Sequence, residues 1–264
     1  MSISRITVAF AKRNRQNQSA FVAYMMAGDP DLDTSRALLL GLPGAGADIV
    51  ELGMPFSDPI AEGPTIQFAA QRALEAGTKM ADVLALAREF RNAHPDTPLI
   101  LMGYANPVHH MGWEVFAQTA ADAGVDGAII VDLPPEESQP LANALHDHDL
   151  ALIRLIAPTT VGERLSQVLQ GVSGFVYYVS VTGVTGVAVP DGGQVTMAVQ
   201  NIRKCTDLPI AVGFGVRDPA TAQQIAQSAD GVVVGSAIVS ALAEGGVEAA
   251  LELTAKLAKA AHQR

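Results

Sequence analysis

Short runs of apolar, β-branched residues alternate along this chain with longer segments in which apolar residues recur at helical spacing. A strand that is buried on both faces is apolar throughout, so a run such as Ala128-Ile129-Ile130-Val131 is typical of a parallel sheet covered by helices. The pattern predicts strands at Phe21–Met26, Asp48–Leu52, Leu99–Tyr104, Gly127–Val131, Ala151–Ile156, Gly174–Val179, Pro209–Val212 and Gly231–Val234. Strands that alternate with helices indicate βαβ units with right-handed crossovers.

The number of these units favours a closed (β/α)₈ barrel, the TIM-barrel architecture. The chain of 264 residues is long enough for one such domain spanning residues 1–264. Before the first strand, the segment Ser2–Asn14 carries Ile3, Ile6 and Phe10 at helical spacing. We therefore expect an extra N-terminal helix that covers the bottom of the barrel.

A short pattern recurs before three of the predicted strands. It reads Ala45-Gly46-Ala47-Asp48, Ala123-Gly124-Val125-Asp126 and Ser228-Ala229-Asp230-Gly231. In the first two copies the glycine is expected to end the preceding helix in the left-handed conformation, whereas the third copy lacks it. An open doubly wound sheet is the competing architecture. Its dinucleotide fingerprint follows a strand, but Gly44-Ala45-Gly46 precedes one, so the barrel is favoured.

Composition excludes several classes of function. The chain is 49% hydrophobic and 17% charged, with a net charge of −10, which argues against disorder and against binding to nucleic acid. No apolar run approaches the roughly 20 residues that span a bilayer, and no signal-peptide pattern is found, so a cytoplasmic protein without a membrane partner is expected. Cys205, the single cysteine, is expected to be buried, and the histidine pairs lack a third ligand group, so no metal site is predicted.

The candidate chemistry lies in the loop that follows the second predicted strand. Glu51 ends that strand, and Glu62 follows in a loop stiffened by glycine and proline. Barrel enzymes carry their active sites at the carboxyl ends of the strands, where a carboxylate loses hydration and its pKa rises toward the range useful for acid/base work. A helix-capping Glu51 and a solvated Glu62 are the alternatives. Asp58 is expected to order the loop by a turn and is not assigned a catalytic role.

Three glycine turns follow predicted strands six, seven and eight. They are Gly183-Val184-Thr185-Gly186, Gly213-Phe214-Gly215 and Gly235-Ser236. Glycine allows close approach of the backbone, and amides at a helix N-terminus bind anions without a basic side chain. Together the turns match the position of the phosphate site common in barrels, although each alone is also explained as a tight turn.

Larger apolar side chains are available to line a flat pocket for an aromatic ring. They are Phe21, Tyr104, Ile129, Ile156 and Tyr177, from predicted strands one, three, four, five and six. For most of them a place in the ordinary barrel core is the simpler interpretation of the residue alone.

These motifs also carry a family resemblance. The segment from Glu51 to Pro64 resembles the catalytic strand and loop of the tryptophan synthase alpha chain, whose pattern is E-L-G-x-P-F-S-D-P-x-A-D-G-P. The match continues in order through Gly28-Asp29-Pro30, Tyr104-Ala105-Asn106-Pro107, Asp132-Leu133-Pro134 with Glu136-Glu137-Ser138, the three glycine turns, and Ala237-Ile238-Val239. It covers nearly the whole chain.

The resemblance implies a lyase of L-tryptophan biosynthesis that cleaves indole-3-glycerol phosphate to indole and glyceraldehyde 3-phosphate. It implies Glu51 and Glu62 as the catalytic residues. The substrate-binding residues that it implies are Phe21, Tyr104 and Tyr177 for the indole ring, with Thr185, Gly186, Gly213, Gly215, Gly235 and Ser236 for the remainder. No cofactor or metal is implied, because pyridoxal phosphate belongs to the beta chain. That chain is the expected partner, in a heterotetramer of two alpha and two beta chains.

Two positions depart from the family pattern. The second catalytic carboxylate of the family is aspartate, whereas this chain has Glu62, and Val181 replaces a basic residue that often precedes the Thr185 loop. Two alternatives therefore stay open. One is a phosphosugar isomerase or synthase on the same barrel, and the other is a chain without lyase activity that binds and activates a beta chain.

Overall fold

The computed structural model describes residues 2–180, 192–213 and 215–264. Within them, eight parallel strands pair in sequence order, and the last pairs with the first to close a barrel. Helices surround it, so the predicted (β/α)₈ barrel with an extra N-terminal helix is confirmed. The assignment of all 264 residues to one domain stays a prediction.

The elements follow one another along the chain with these bounds. The strands are β1 Ala20–Met26, β2 Ile49–Gly53, β3 Leu99–Gly103, β4 Gly127–Ile130, β5 Ala151–Ile156, β6 Val176–Val179, β7 Ile210–Gly213 and β8 Gly231–Val234. The described helices are α1 Ser2–Arg15, α2 Leu32–Gly41, α3 Pro64–Glu75, α4 Met80–Ala93, α5 Ala105–Met111, α6 Trp113–Asp122, α7 Gln139–Asp147, α8 Gly162–Leu169, α9 Gly192–Arg203, α10 Pro219–Ala226 and α11 Ser236–Ala261, with a 3₁₀ turn at Pro135–Glu137.

The predicted strands agree with the observed ones to within two residues. The largest difference is in β6, which begins at Val176 and not at Gly174, because Gly174 has a φ of +78° and belongs to the preceding turn. Cys205 is exposed, contrary to expectation, because it lies in the turn between α9 and β7 and not in a strand.

Helix α1 closes the base of the barrel as predicted. Ile6 is fully buried and Phe10 is 5% exposed, and both join the cluster of inward-facing strand residues. The ring of Phe10 lies 5.5 Å from that of Phe175, between centroids, just before β6. The helix therefore supplies an apolar floor, and the opposite end of the barrel is left for chemistry.

The aspartates of the recurring sequence pattern form hydrogen bonds at the base of the barrel. The amide of Asp48 donates to the carbonyl of Phe21, and the Asp48 carboxylate accepts the amide of Phe21 at 2.9 Å. The same reciprocal pair joins Asp126 with Leu99 and Asp230 with Ile210. We call each pair a base clamp. Each clamp joins an odd-numbered strand to the next even one.

A fourth base clamp completes the set, and the sequence pattern does not reveal it. Ser173, just before β6, donates its amide to the carbonyl of Leu152, and its hydroxyl accepts the Leu152 amide at 3.1 Å. The four clamps thus join β1 to β2, β3 to β4, β5 to β6 and β7 to β8. In the fourth clamp the acceptor is a neutral hydroxyl instead of a carboxylate.

Both glycines expected to end a helix have positive φ, +105° at Gly46 and +79° at Gly124. They place the aspartates that follow at the strand entrance, where arginines compensate the buried charge. Asp126, with no exposed surface, pairs with Arg5 at 2.8 Å and with Arg91 at 2.6 Å.

Removal of the Asp126 carboxylate should destabilise the barrel strongly. Asp126→Ala leaves the amide of Leu99 without its acceptor and the two arginines without the carboxylate with which they form ion pairs, and breaking a buried pair of this kind costs about 3–5 kcal/mol. We expect a loss of that size in the free energy of unfolding measured by urea denaturation. Asp147→Ala, at an exposed position of α7, is the matched control and should stay within about 0.5 kcal/mol of the parent. Equal effects of the two substitutions would contradict the clamp interpretation.

Candidate active site

A cavity opens at the carboxyl ends of the strands, opposite α1. The residues that line it are Tyr24, Glu51, Glu62, Ile66, Met102, Tyr177, Gly215, Val216, Arg217, Val233, Gly235 and Ser236. The space that they surround, including solvent at its open mouth, is about 520 Å³. Two carboxylates in a mostly apolar cavity make it the candidate active site.

Glu51 lies on β2 with its side chain inside the barrel. It is fully buried, and neither of its carboxylate oxygens has a hydrogen-bond partner among the described residues. Burial raises the pKa of Glu51 to about 8, and the charge of Glu62 adds to the increase. The group is therefore protonated near neutral pH and able to give up its proton, as a general acid must be.

Glu62 comes to the same cavity from the loop between β2 and α3. It is 7% exposed, and burial raises its pKa to about 7. Its position is set by the start of α3, where Gln67 donates to the Glu62 carbonyl at 2.8 Å and Pro64 occupies the first turn. The two carboxylates predicted from the sequence thus meet in one cavity.

Tyr104 positions this loop. Its hydroxyl accepts the amide of Ala61 at 3.0 Å, and its ring stacks on Phe56 with 5.2 Å between centroids. Both contacts are with the loop that carries Glu62, and Tyr104 is absent from the cavity lining. Its predicted contact with an indole ring therefore stays a prediction, whereas its contact with the catalytic loop is a feature of the structure.

Two inward-facing tyrosine side chains pack against glycines of the neighbouring strands. A Cβ atom at Gly53 would lie 2.3 Å from the hydroxyl oxygen of Tyr24, and one at Gly213 would lie 2.3 Å from that of Tyr177. Burial raises the pKa of both tyrosines well above the usual range, with further contributions from the carboxylates. Both hydroxyls therefore stay protonated, and Gly213 is needed to accommodate Tyr177.

Phe21 does not reach the cavity, and the sequence prediction for it is corrected. Along β1 the residues that face the barrel interior are Ala20, Val22, Tyr24 and Met26. Phe21 lies in the other cluster, between the strands and the helices, because successive side chains of a strand point to opposite faces. Tyr24 takes the place in the cavity that was expected for Phe21. Ile156 also lies in the outer cluster, and Ile129 faces inward.

The glycine turns are described only in part. Gly215, Gly235 and Ser236 line the cavity, and Ser236 begins α11, so an N-terminal turn with free amides opens beside it. Gly213 ends β7 and accepts hydrogen bonds from Ser180 through its carbonyl, at 2.7 Å from the hydroxyl. Thr185, Gly186 and the variant position Val181 lie outside the described residues, so nothing is concluded about them.

In the part of the chain that the structure describes, no three histidine, cysteine, aspartate or glutamate side chains come together as metal ligands. Nor is any helix of those residues long and apolar enough to cross a membrane. The described site can therefore transfer protons between either carboxylate and a ligand that packs against the apolar walls.

Comparison with known proteins identifies the family. The family model "Tryptophan synthase alpha chain" matches residues 10–263. The chain belongs to the tryptophan synthase alpha chain family. A tryptophan synthase alpha chain of Phenylobacterium zucineum (strain HLK1) is 57% identical over 92% of this chain and 88% of that protein. One of Caulobacter sp. (strain K31) is 55% identical over 96% of this chain and 90% of that protein.

Solved structures agree with this assignment. A chain from Mycobacterium tuberculosis tryptophan synthase superposes with a TM-score of 0.92 at 39% identity, over 98% of each chain. Tryptophan synthase subunit alpha from Legionella pneumophila str. Paris gives a TM-score of 0.90 at 38% identity, over 97% of each. The resemblance expected from the motifs is confirmed, and with it the lyase class.

Sequence reasoning missed several residues of the alpha-chain cavity. Tyr24, Ile66, Met102, Val216, Arg217 and Val233 were not predicted to line it. The whole of β1 is buried, so its sequence has no polar alternation that would separate inward from outward positions. The register between β1 and β2, which places Tyr24 opposite Glu51, provides the missing information.

The burial of Glu51 predicts a characteristic pH dependence of stability. Its pKa rises from 4.5 in the unfolded chain to about 8 in the folded one. The folded state then binds more protons, so the free energy of unfolding should fall as pH rises between these values, by up to about 1.4 kcal/mol per pH unit. Urea denaturation from pH 5 to pH 8 should show a shallower decline in Glu51→Gln than in the parent.

Glu248→Gln is the matched control, since Glu248 is exposed on α11 and stays in water in both states. Its decline should follow that of the parent. If Glu51→Gln also follows the parent, Glu51 is not the desolvated group described above.

Proposed function

We propose that Glu51 and Glu62 carry out, in this chain, the cleavage of indole-3-glycerol phosphate to indole and glyceraldehyde 3-phosphate, the reaction of the tryptophan synthase alpha chain. The observation that carries these roles is the pair of buried carboxylates, with pKa values of about 8 and about 7, in one cavity. Groups with pKa values close to the working pH are the most effective acids and bases.

Glu51 acts first as the acid and then as the base. Its proton passes to C3 of the indole ring, and the ring becomes a cation centred near N1. The Glu51 carboxylate then takes the proton of the hydroxyl on the adjoining glycerol carbon. As that oxygen forms the aldehyde, the carbon–carbon bond breaks, and its electron pair returns to the ring to give indole. Glu51 ends the cycle protonated, as it began.

Glu62 stabilises the cation. A carboxylate beside the ring N–H lowers the energy of positive charge that develops there, and it does so most strongly where water is excluded. The division of roles is supported by the direction of the shift at Glu51, since the charge of Glu62 raises the pKa of Glu51 further and favours a protonated Glu51 beside an ionised Glu62.

The remainder of the cavity suits the remainder of the substrate. Ile66, Met102 and Val233 give apolar walls for the ring, and Tyr24 and Tyr177 close the base. We assign the phosphate to the turn at Gly215 and to the first amides of α11, at Gly235 and Ser236. The predicted contributions of Thr185 and Gly186 are part of the same proposal.

The partner completes the proposed function. The family pairs with a beta chain, and we propose that this chain does so as a heterotetramer of two alpha and two beta chains in the cytoplasm. Indole released at the cavity would then pass to the beta chain. Asp58 and its bonded neighbour Ser57 lie on the exposed part of the catalytic loop, where a partner can contact them.

Loss of the Glu51 proton should abolish most turnover and leave the fold intact. Glu51→Gln keeps the size of the side chain and removes its acid/base function, so we expect the kcat of the full chain to fall by about 10²-fold or more. Release of indole from indole-3-glycerol phosphate measures it, with and without a beta chain. Circular dichroism and the affinity for glycerol 3-phosphate should match the parent. Near-parental turnover would remove Glu51 from the mechanism.

Substitutions at Glu62 test whether the longer carboxylate is suited to its place. Because Glu62 lines the cavity, we expect Glu62→Ala to lower kcat by about 10²-fold. Glu62→Asp should give no large gain in kcat, since an aspartate carboxylate on this loop would stop about 1.5 Å short. Steady-state assays of both variants measure kcat and show whether Glu62 has a catalytic role. Unchanged activity in Glu62→Ala would make the residue a bystander. A large gain in kcat in Glu62→Asp would favour the alternative function, in which the chain mainly activates a beta chain.

A further inference from the structure

Among the residues that line the cavity in the part of the chain that the structure describes, one is basic, and the mechanism above does not use it. This residue, Arg217, follows the turn at Gly215 and lines the same cavity as Glu51 and Glu62. Its side chain is exposed and has no hydrogen-bond or ion-pair partner among the described residues. Several other arginines in that part of the chain, such as Arg72 with Asp29, are engaged in ion pairs. Arg217 is thus available to a ligand.

The backbone on either side of Arg217 is fixed. Val216 is 5% exposed and anchors the preceding position in the core. Asp218 begins α10 as its N-cap, and its carboxylate accepts the amide of Thr221 at 2.9 Å. The Asp218 carboxylate is thus engaged with Thr221, and among the described residues no ion pair joins it to Arg217. The backbone that carries Arg217 is therefore anchored on both sides at the rim of the cavity.

The charges of the cavity are separated around the barrel. Glu51 and Glu62 come from β2 and the loop after it, whereas Arg217 follows β7 and Ser236 follows β8. Strands β7 and β2 are separated by β8 and β1 in the closed order. The anionic end of a substrate is repelled by an ionised Glu62 and attracted to the side of the cavity that contains Arg217. In a chain of net charge −10, such a local cation offsets the unfavourable overall field.

We infer that Arg217 is a specificity-determining residue that binds the phosphate dianion of the substrate and thereby sets which end of the ligand faces Glu51. The inference rests on the proposed function, and it adds a side-chain cation to the backbone amides at Gly235 and Ser236. A guanidinium forms paired, charge-assisted hydrogen bonds with phosphate, which a lysine cannot reproduce fully. The residue acts in binding, so its removal should raise KM much more than it lowers kcat.

Binding of three probes to full-length variants tests this role. The probes are glycerol 3-phosphate, inorganic phosphate and uncharged indole, measured by calorimetry on the parent, Arg217→Ala, Arg217→Lys and the matched control Arg88→Ala. Arg88 is exposed on α4 and absent from the cavity lining, so its variant has the same change in net charge. We expect Arg217→Ala to weaken both anions about tenfold or more, Arg217→Lys to be intermediate, and indole binding and the Arg88→Ala variant to match the parent.

Salt provides the second measurement. Screening of an exposed charge increases with ionic strength, so the difference between the parent and Arg217→Ala should shrink from about 0.02 M to about 0.5 M salt. Anion affinity in Arg217→Ala equal to that of the parent would overturn the proposal. An equal loss of indole binding would also overturn it, by showing that the substitution deforms the cavity. Failure of the proposed function is separate, since it would appear as absent indole release in a parent that still binds glycerol 3-phosphate through Arg217.

Discussion

Burial of the Glu51 carboxyl group, which has no hydrogen-bond partner among the described residues, is the constraint on which the chemistry of this barrel depends. Transfer of an ionised group into such a place is unfavourable, and the protein responds by holding Glu51 protonated. The same unfavourable environment gives the acid its reactivity. A scaffold that relaxed would hydrate Glu51 and lose both effects, so the strands around it have to be held firmly by interactions elsewhere.

Those interactions are concentrated at the opposite end of the barrel. There the polar groups are satisfied by the base clamps, and Phe10 of α1 fills the floor. At the mouth the situation is reversed, because neither Glu51 nor Arg217 has a hydrogen-bond or ion-pair partner among the described residues. Stability and chemistry are thus separated along the barrel axis.

The sequence alone predicts the fold and the identity of the two carboxylates, because both are encoded by local patterns. Apolar runs mark the strands, and the Gly/Pro-rich loop after β2 marks Glu62. In a fully buried strand, the local sequence does not show which side chains face the barrel interior and which face the helices. This is why Phe21 was expected in the cavity and Tyr24 was not. The clamp at Ser173 was not predicted for a related reason, because its role becomes evident only once the pairing of β5 with β6 is known.

The four base clamps also determine how the entrances of the strands are fixed. Each joins an odd-numbered strand to the next even one through the same two hydrogen bonds, so the barrel consists of four successive two-strand modules. Recurrence of the same joint at every second strand distributes the fixing of the strand entrances evenly around the barrel axis. Three joints use an aspartate carboxylate, whereas the joint at Ser173 has the same hydrogen-bond geometry without a charge.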